Sequence, residues 1–178
     1  MKNLCKSILI IGIFLSFISC DKITSDMKVD IYLIKSFETK QNSSEIIENS
    51  VILEVSPIIE YSDILNYNSK DHIFTISSEV ADALLNIYSS LKNQFAVVID
   101  SEIVYTGYFV SHSSSHIIDW TVITANFFGG DEIIIGFDYN EIIVDLGYPS
   151  NLEDWKTPDK RNDRRLINIF KRDGKLNE

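Results

Sequence analysis

The sequence predicts an α+β fold: a mostly antiparallel sheet with one helix packed on a face and a second helix at the C-terminus. Three observations carry the prediction. Short runs of β-branched and aromatic residues recur from Val29 to Leu146, separated by Ser, Asn, Asp and Gly clusters. One segment, Glu79 to Leu91, instead has apolar residues at helical spacing. Thr157 to Asp173 has helix start and stop signals at its two ends.

Val29 to Lys35 reads as the first strand, with Val29, Ile31 and Leu33 on one face. Ser36 to Ser50 is polar and is expected to be a mobile loop. Val51 to Val55 reads as the second strand. Pro57 ends it or holds it at a sheet edge, because proline cannot donate to a ladder. Ser62-Asp63-Ile64 marks a short turn, and His72 to Ile76 is the next strand, with His72, Phe74 and Ile76 on one side. In the central helix Val80, Leu84, Ile87, Tyr88 and Leu91 form one stripe; Ser77 or Ser78 caps its start, where Glu79 and Asp82 suit the helix dipole.

Phe95 to Ile99 is apolar throughout, as in a strand covered on both faces. Asp100-Ser101-Glu102 turns the chain and Ile103 to Val110 returns, which makes a hairpin. Ile117 to Ala125, Glu132 to Phe137 and Glu141 to Leu146 are three further strands, with turns at Gly129-Gly130 and Asp138-Tyr139-Asn140. The last helix is expected to open at Thr157-Pro158-Asp159, to bury Leu166, Ile167, Ile169 and Phe170, and to stop at Asp173-Gly174. Trp155 is expected to staple that helix to the body.

A chain of 178 residues suits one domain. Its usage, 45% hydrophobic and 24% charged, is that of a globular protein. The 16 Lys and Arg against 26 Asp and Glu give a net charge of -10, which argues against nucleic-acid partners, since phosphate contacts need clustered basic residues. The charge is unevenly divided: 6 basic and 20 acidic side chains lie in residues 20–150, against 8 and 6 in 151–178. Docking of the weakly basic last segment onto the acidic body is the favoured reading of that division.

The start of the chain reads as an address. Lys2 and Lys6 precede an apolar run from Ile8 to Ile18 that reaches only about half a bilayer core. A basic start, a short apolar stretch and a small residue before a polar break form a secretory signal. Phe17-Ile18-Ser19-Cys20 resembles the lipobox of bacterial lipoproteins, with Phe17 where Leu is usual. The resemblance implies residues 1–19 as signal peptide, diacylglycerol thioether-linked to Cys20, and residues 20–27 as a tether to one domain spanning 28–178. The partner would then be a membrane, reached through acylated Cys20, and the location the cell envelope outside the cytoplasm. Cys5 would leave with the signal, so the mature chain would have no disulfide.

The middle of the chain carries a second resemblance. VILEVSPIIEYSDI (51–64), HIFTISSEVADALLNIY (72–88) and QFAVVIDSEIVYTGYF (94–109) follow each other as strand, Pro and Asp-Ile turn, then strand and helix, then apolar hairpin with Asp. A small-residue loop at Ser111 to His116 follows. This order, over residues 51–123, is similar to the periplasmic head subdomain of the SecD/SecDF protein-export membrane proteins. Ser101 stands where that family usually has Gly. The resemblance implies an α+β head that contacts emerging polypeptide. Proton-driven translocation is not implied, because the family's membrane helices are missing.

Two residue groups are candidate sites. His112-Ser113-Ser114-Ser115-His116 with Asp119 supplies imidazole and carboxylate ligands for zinc, or a Ser with His and Asp for hydrolysis. On a helix His112 and His116 would share a face; here the segment lies between strands and lacks a Gly-x-Ser-x-Gly elbow, so a solvated loop explains it more simply. Asp131-Glu132 and Asp138 to Glu141 lack the spacing of a calcium loop, and Gly129-Gly130 lacks the Lys of a phosphate loop. Tyr105, Tyr108, Phe109 and Trp120, followed by Phe127 and Phe128, concentrate aromatics around the hairpin and the next strand. Tyr105 and Phe109 share one parity and Tyr108 the other, and the outward ones are expected to contact protein or peptide. The expectation is a non-catalytic, lipid-anchored module that binds polypeptide and needs no cofactor, with a small hydrolase using His112, His116 and Asp119 as the alternative.

Overall fold

The computed structural model describes residues 26–87, 94–111, 114–125, 138–150 and 155–178. Among these residues lie nine strands: β1 (Val29–Ser36), β2 (Ile52–Ile59), β3 (Ile64–Asn68), β4 (Ile73–Ile76), β5 (Gln94–Ile99), β6 (Glu102–Phe109), β7 (Val122–Ala125), β8 (Glu141–Asp145) and β9 (Leu176–Asn177). Two α-helices accompany them, α1 (Ser78–Ile87) and α2 (Arg164–Arg172). The strands form one sheet in the order β2-β1-β5-β6-β7-β8-β4-β3-β9. The sheet is mixed, which corrects the mostly antiparallel expectation: β6 with β7 and β3 with β9 run parallel. The reason lies in the connections. β6 ends at Phe109 and β7 starts at Val122, a separation of about a dozen residues, which is what a crossover to a parallel neighbour needs. The residues expected to hold the strand Glu132–Phe137, the Gly129-Gly130 turn and the end of the central helix from Tyr88 lie outside the described residues, as do 1–25.

The sheet must curl. Only residues 60–63 join β2 to β3, a reach from Ile59 to Ile64 of at most about 18 Å. Yet β2 and β3 hold the first and eighth places in the strand order, which in a flat sheet would lie about 34 Å apart. The two ends therefore approach each other around one core. That core joins Val29, Ile31 and Ile59 from one end with Ile64, Tyr67 and Phe74 from the other, and α1 and α2 contribute Ala81, Leu84, Leu166, Ile169 and Phe170. The joining turn is pinned at both sides: Tyr61 N donates to Asp30 Oδ1 at 2.8 Å, and Tyr61 OH donates to Asp173 Oδ2 at 2.7 Å. Lys175 Nζ donates to Tyr61 O at 2.9 Å and lies 4.3 Å from the Tyr61 ring centre. Met27, placed in the tether by the sequence, packs against this core, and Arg172 holds its carbonyl at 2.8 Å.

Local signals explain most elements. Asp100 and Ser101 have φ of 47° and 74°; two left-handed residues match the twist of a two-residue hairpin, and Asp adopts that conformation more easily than most. β2 is an edge strand that runs through Pro57, as its missing N–H allows. β4 starts one residue later than expected, because His72 has φ 57° and belongs to the turn. β3 was hidden in a segment rich in Asn, a poor strand former.

α2 begins at Arg164, not at Thr157. Asp163 is its cap, accepting from Arg165 N at 2.9 Å. Thr157 is buried and its hydroxyl is engaged elsewhere, donating to Leu146 O at 2.7 Å with Asp119 O also within 3.2 Å. Residues 157–163 instead cross the body, where Arg161 Nη1 donates to Val144 O at 3.0 Å. Gly174, with φ 67°, follows the helix end as expected.

The segment 36–50 is held in place, which corrects its reading as a mobile loop. Lys40 N donates to Glu45 O and Ile47 N to Glu38 O, each at 2.9 Å, and Ile46 is buried. The cause is β5, apolar on both faces as expected. Phe95, Val97 and Ile99 enter the main core, while Ala96 and Val98 face the other way and are covered by Ile34, Ile46 and Trp120.

Candidate binding cleft

A cleft of about 550 Å³ opens where β5 begins and β6 ends, between Gln94, Tyr108 and the segment from Ser114 to Ile118. The crossover after β6 makes its wall. Tyr108 N donates to Thr121 O at 3.0 Å and Val110 N to Ile123 O at 2.9 Å, which holds the two ends of the intervening segment together. Trp120, outside the cleft lining, is buried with Nε1 donating to Thr106 Oγ1 at 3.1 Å. Ser114 N donates to Ser111 O at 3.0 Å, and His116 N donates to Ser114 Oγ at 3.2 Å. Ser114 Oγ also lies 3.2 Å from His116 Nδ1. These contacts form a local turn within the loop. Ile117 is 71% exposed at the rim.

Tyr108 is half-buried, and its OH donates to Ser44 O at 2.9 Å. Burial, followed by the nearby Asp119 charge, pushes that hydroxyl up to about 12. The ring, not the hydroxyl, is therefore what Tyr108 offers the cleft.

Asp119 turns away from this cleft. Ser44 N donates to its Oδ1 at 2.6 Å, and the residue lines a separate cavity of about 240 Å³ with Ser43, Trp120, Trp155 and Thr157. Burial acts to raise the Asp119 carboxyl, but hydrogen bonds from Ser44 and Ser43 outweigh it and hold the carboxyl below its ordinary value. His116 and Asp119 are thus not brought together, and His112 lies outside the described residues. Among the described residues there is no group of three or more His, Cys, Asp and Glu able to hold a metal ion. The Ser-His-Asp arrangement of the hydrolase expectation is not assembled by these residues.

A lowered folded-state value means that the Asp119 contacts stabilise the protein above the ordinary carboxylate range and that this contribution is lost as pH falls through the folded value. Asp119→Ala is accordingly expected to lower the melting temperature at about pH 7, with a smaller gap from the unsubstituted protein at about pH 3. Thermal melts at the two values check this.

Three of the four aromatics expected at a binding face are packing residues instead. Tyr105 and Phe109 are 3% exposed and Trp120 is 7% exposed. β6 lies in the middle of a sheet covered on both faces, so neither parity reaches water along most of its length. Tyr105 and Phe109 meet Phe95 at ring distances of 6.3 and 5.1 Å. Trp155 lies over Gly147, where an added Cβ would come within 2.4 Å of its ring, and thus staples the end of the sheet, not α2.

The buried Tyr105 hydroxyl has no hydrogen-bond partner among the described residues. Removing an unsatisfied buried group recovers its desolvation, so Tyr105→Phe is expected to leave stability unchanged or raise it by about 1 kcal/mol. Tyr67→Phe should do the opposite, because Tyr67 OH lies 2.9 Å from both Arg161 O and Asn162 Oδ1. Denaturant midpoints of the two variants decide the matter.

Sequence reasoning did not find Ser44 or Gln94 as cleft residues. Neither carries a local signal: Gln94 stands opposite Tyr108 in the β5-β6 ladder, and Ser44 meets Tyr108 because the segment 36–50 folds back over β5. Comparison with family models, with curated proteins and with solved structures finds no match to this chain.

Proposed function

We propose that this chain is a lipid-anchored protein of the bacterial cell envelope that holds polypeptide non-catalytically in the cleft beside Tyr108. The observation that carries the reading is the lining of the cleft. It mixes Ser hydroxyls, the Gln94 amide and the His116 imidazole with Tyr108, Ile117 and Ile118, a combination suited to binding. The leader-like start and Cys20 support the anchor. No helix among the described residues is long and apolar enough to cross a membrane, so an acyl chain on Cys20 is the attachment this reading requires. The similarity of residues 51–123 to an export-associated head subdomain supports polypeptide as the ligand.

Cells grown with labelled palmitate are expected to label the protein, and Cys20→Ala to abolish both label and membrane fractionation. A photo-crosslinking residue at position 117 should capture envelope polypeptide in the same cells, while one at the exposed Tyr139 should not. An unlabelled, freely soluble protein without adducts at position 117 would overturn the reading.

A further inference from the structure

The ligand class of the cleft follows from its charge. Asp, Glu, Lys and Arg are absent from the described residues that line it, on a chain whose net charge is -10. A charged group seated there would lose water with no Asp, Glu, Lys or Arg among those residues to pair with, which is unfavourable. The acidic body adds long-range repulsion against acidic segments. Among the lining groups the Ser115 hydroxyl and the Gln94 amide each donate and accept, as the alternating N–H and C=O groups of a peptide backbone require. The exposed Ile117 and the Tyr108 ring offer apolar contact for side chains pointing to alternate sides of an extended strand. A cleft of about 550 Å³ accommodates a few residues and no folded domain.

We infer that the cleft selects an uncharged, extended stretch of polypeptide and discriminates against acidic ones. This rests on the binding function proposed above.

The test uses the full acylated protein in neutral detergent and dye-labelled octapeptides read by fluorescence anisotropy. One peptide is neutral and rich in Ser, Thr and Val; a second replaces two central residues with Asp; a neutral hexasaccharide serves as competitor. The neutral peptide is expected to bind about ten-fold or more tightly than the acidic one, equivalent to about 1.4 kcal/mol, and the sugar not to compete. Ile117→Asp, which exchanges an exposed side chain and should leave melting unchanged, is expected to weaken neutral-peptide binding about ten-fold. Val55→Asp, 97% exposed on β2, should leave binding as it was. Equal affinity for both peptides, displacement by the sugar, or no effect of Ile117→Asp would overturn the inference. If crosslinking at position 117 still captures polypeptide in those cases, only the selectivity fails and the binding function stands.

Discussion

Phe170→Ala is expected to destabilise the protein by about 3–5 kcal/mol, the range for emptying a fully buried aromatic site. Phe170 is completely buried and its ring stands 5.3 Å from that of Tyr67, 5.8 Å from Tyr61 and 5.9 Å from Phe74. It therefore fills the space between β3, β4 and the turn that joins the two ends of the curled sheet. The loss should fall high in the range because the walls cannot easily close. Tyr61 is fixed by Asp173 and Tyr67 by the crossing segment at Arg161 and Asn162. Urea unfolding gives the answer through a shifted midpoint at constant slope. A loss below about 0.5 kcal/mol, the size of an ordinary surface change, would show that α2 is not a structural member of the core.

Gly107→Ala should be at least as severe, for a different reason. A Cβ at this position would lie 2.3 Å from Thr121 O and 2.7 Å from Phe95 Cζ. The oxygen is backbone and accepts the Tyr108 N–H that pairs β6 with β7, while Phe95 is fully buried and has no room to swing. The added methyl must push the two strands apart, and a loss beyond about 4 kcal/mol is expected. Gly174→Ala is the control: nothing lies within 4 Å of a Cβ there, and only φ of 67° opposes it, at about 1–2 kcal/mol. Expression with soluble yield and melting of both variants separates steric exclusion from backbone strain. Near-normal melting of Gly107→Ala would mean that β6 and β7 do not approach as described.

Local features were legible in the sequence wherever the deciding partner lies close in the chain. The Asp100-Ser101 hairpin, the double-faced β5, the edge position around Pro57 and the Gly174 stop all follow from the residues themselves. Features set by distant partners were not. The parallel pairing of β6 and β7 depends on how 110–121 cross over, and nothing in Ser111 to His116 encodes that path. Thr157 has the chemistry of a cap, but Leu146 takes its hydroxyl, and Asp163 caps the helix instead. The polar composition of 36–50 concealed Ile46, whose burial follows from Val98 and Trp120 on the other side of β5. The same distance effect splits the candidate site. Asp119 is three residues from His116, yet its carboxylate is claimed by Ser44, 75 residues away.

The order of the strands also sets when the molecule can finish assembling as the chain emerges amino-terminus first from the ribosome. β4 waits for β8, and the interior stays open until α2 and β9, the last structured pieces of the chain, have emerged. The local pairs β1-β2, β3-β4 and β5-β6 can form early, but the sheet cannot close over its core until these last elements arrive, and β2 stays an open border. The fold therefore locks only once the whole chain is released, and a ribosome-stalled product ending before residue 164 should stay protease-sensitive.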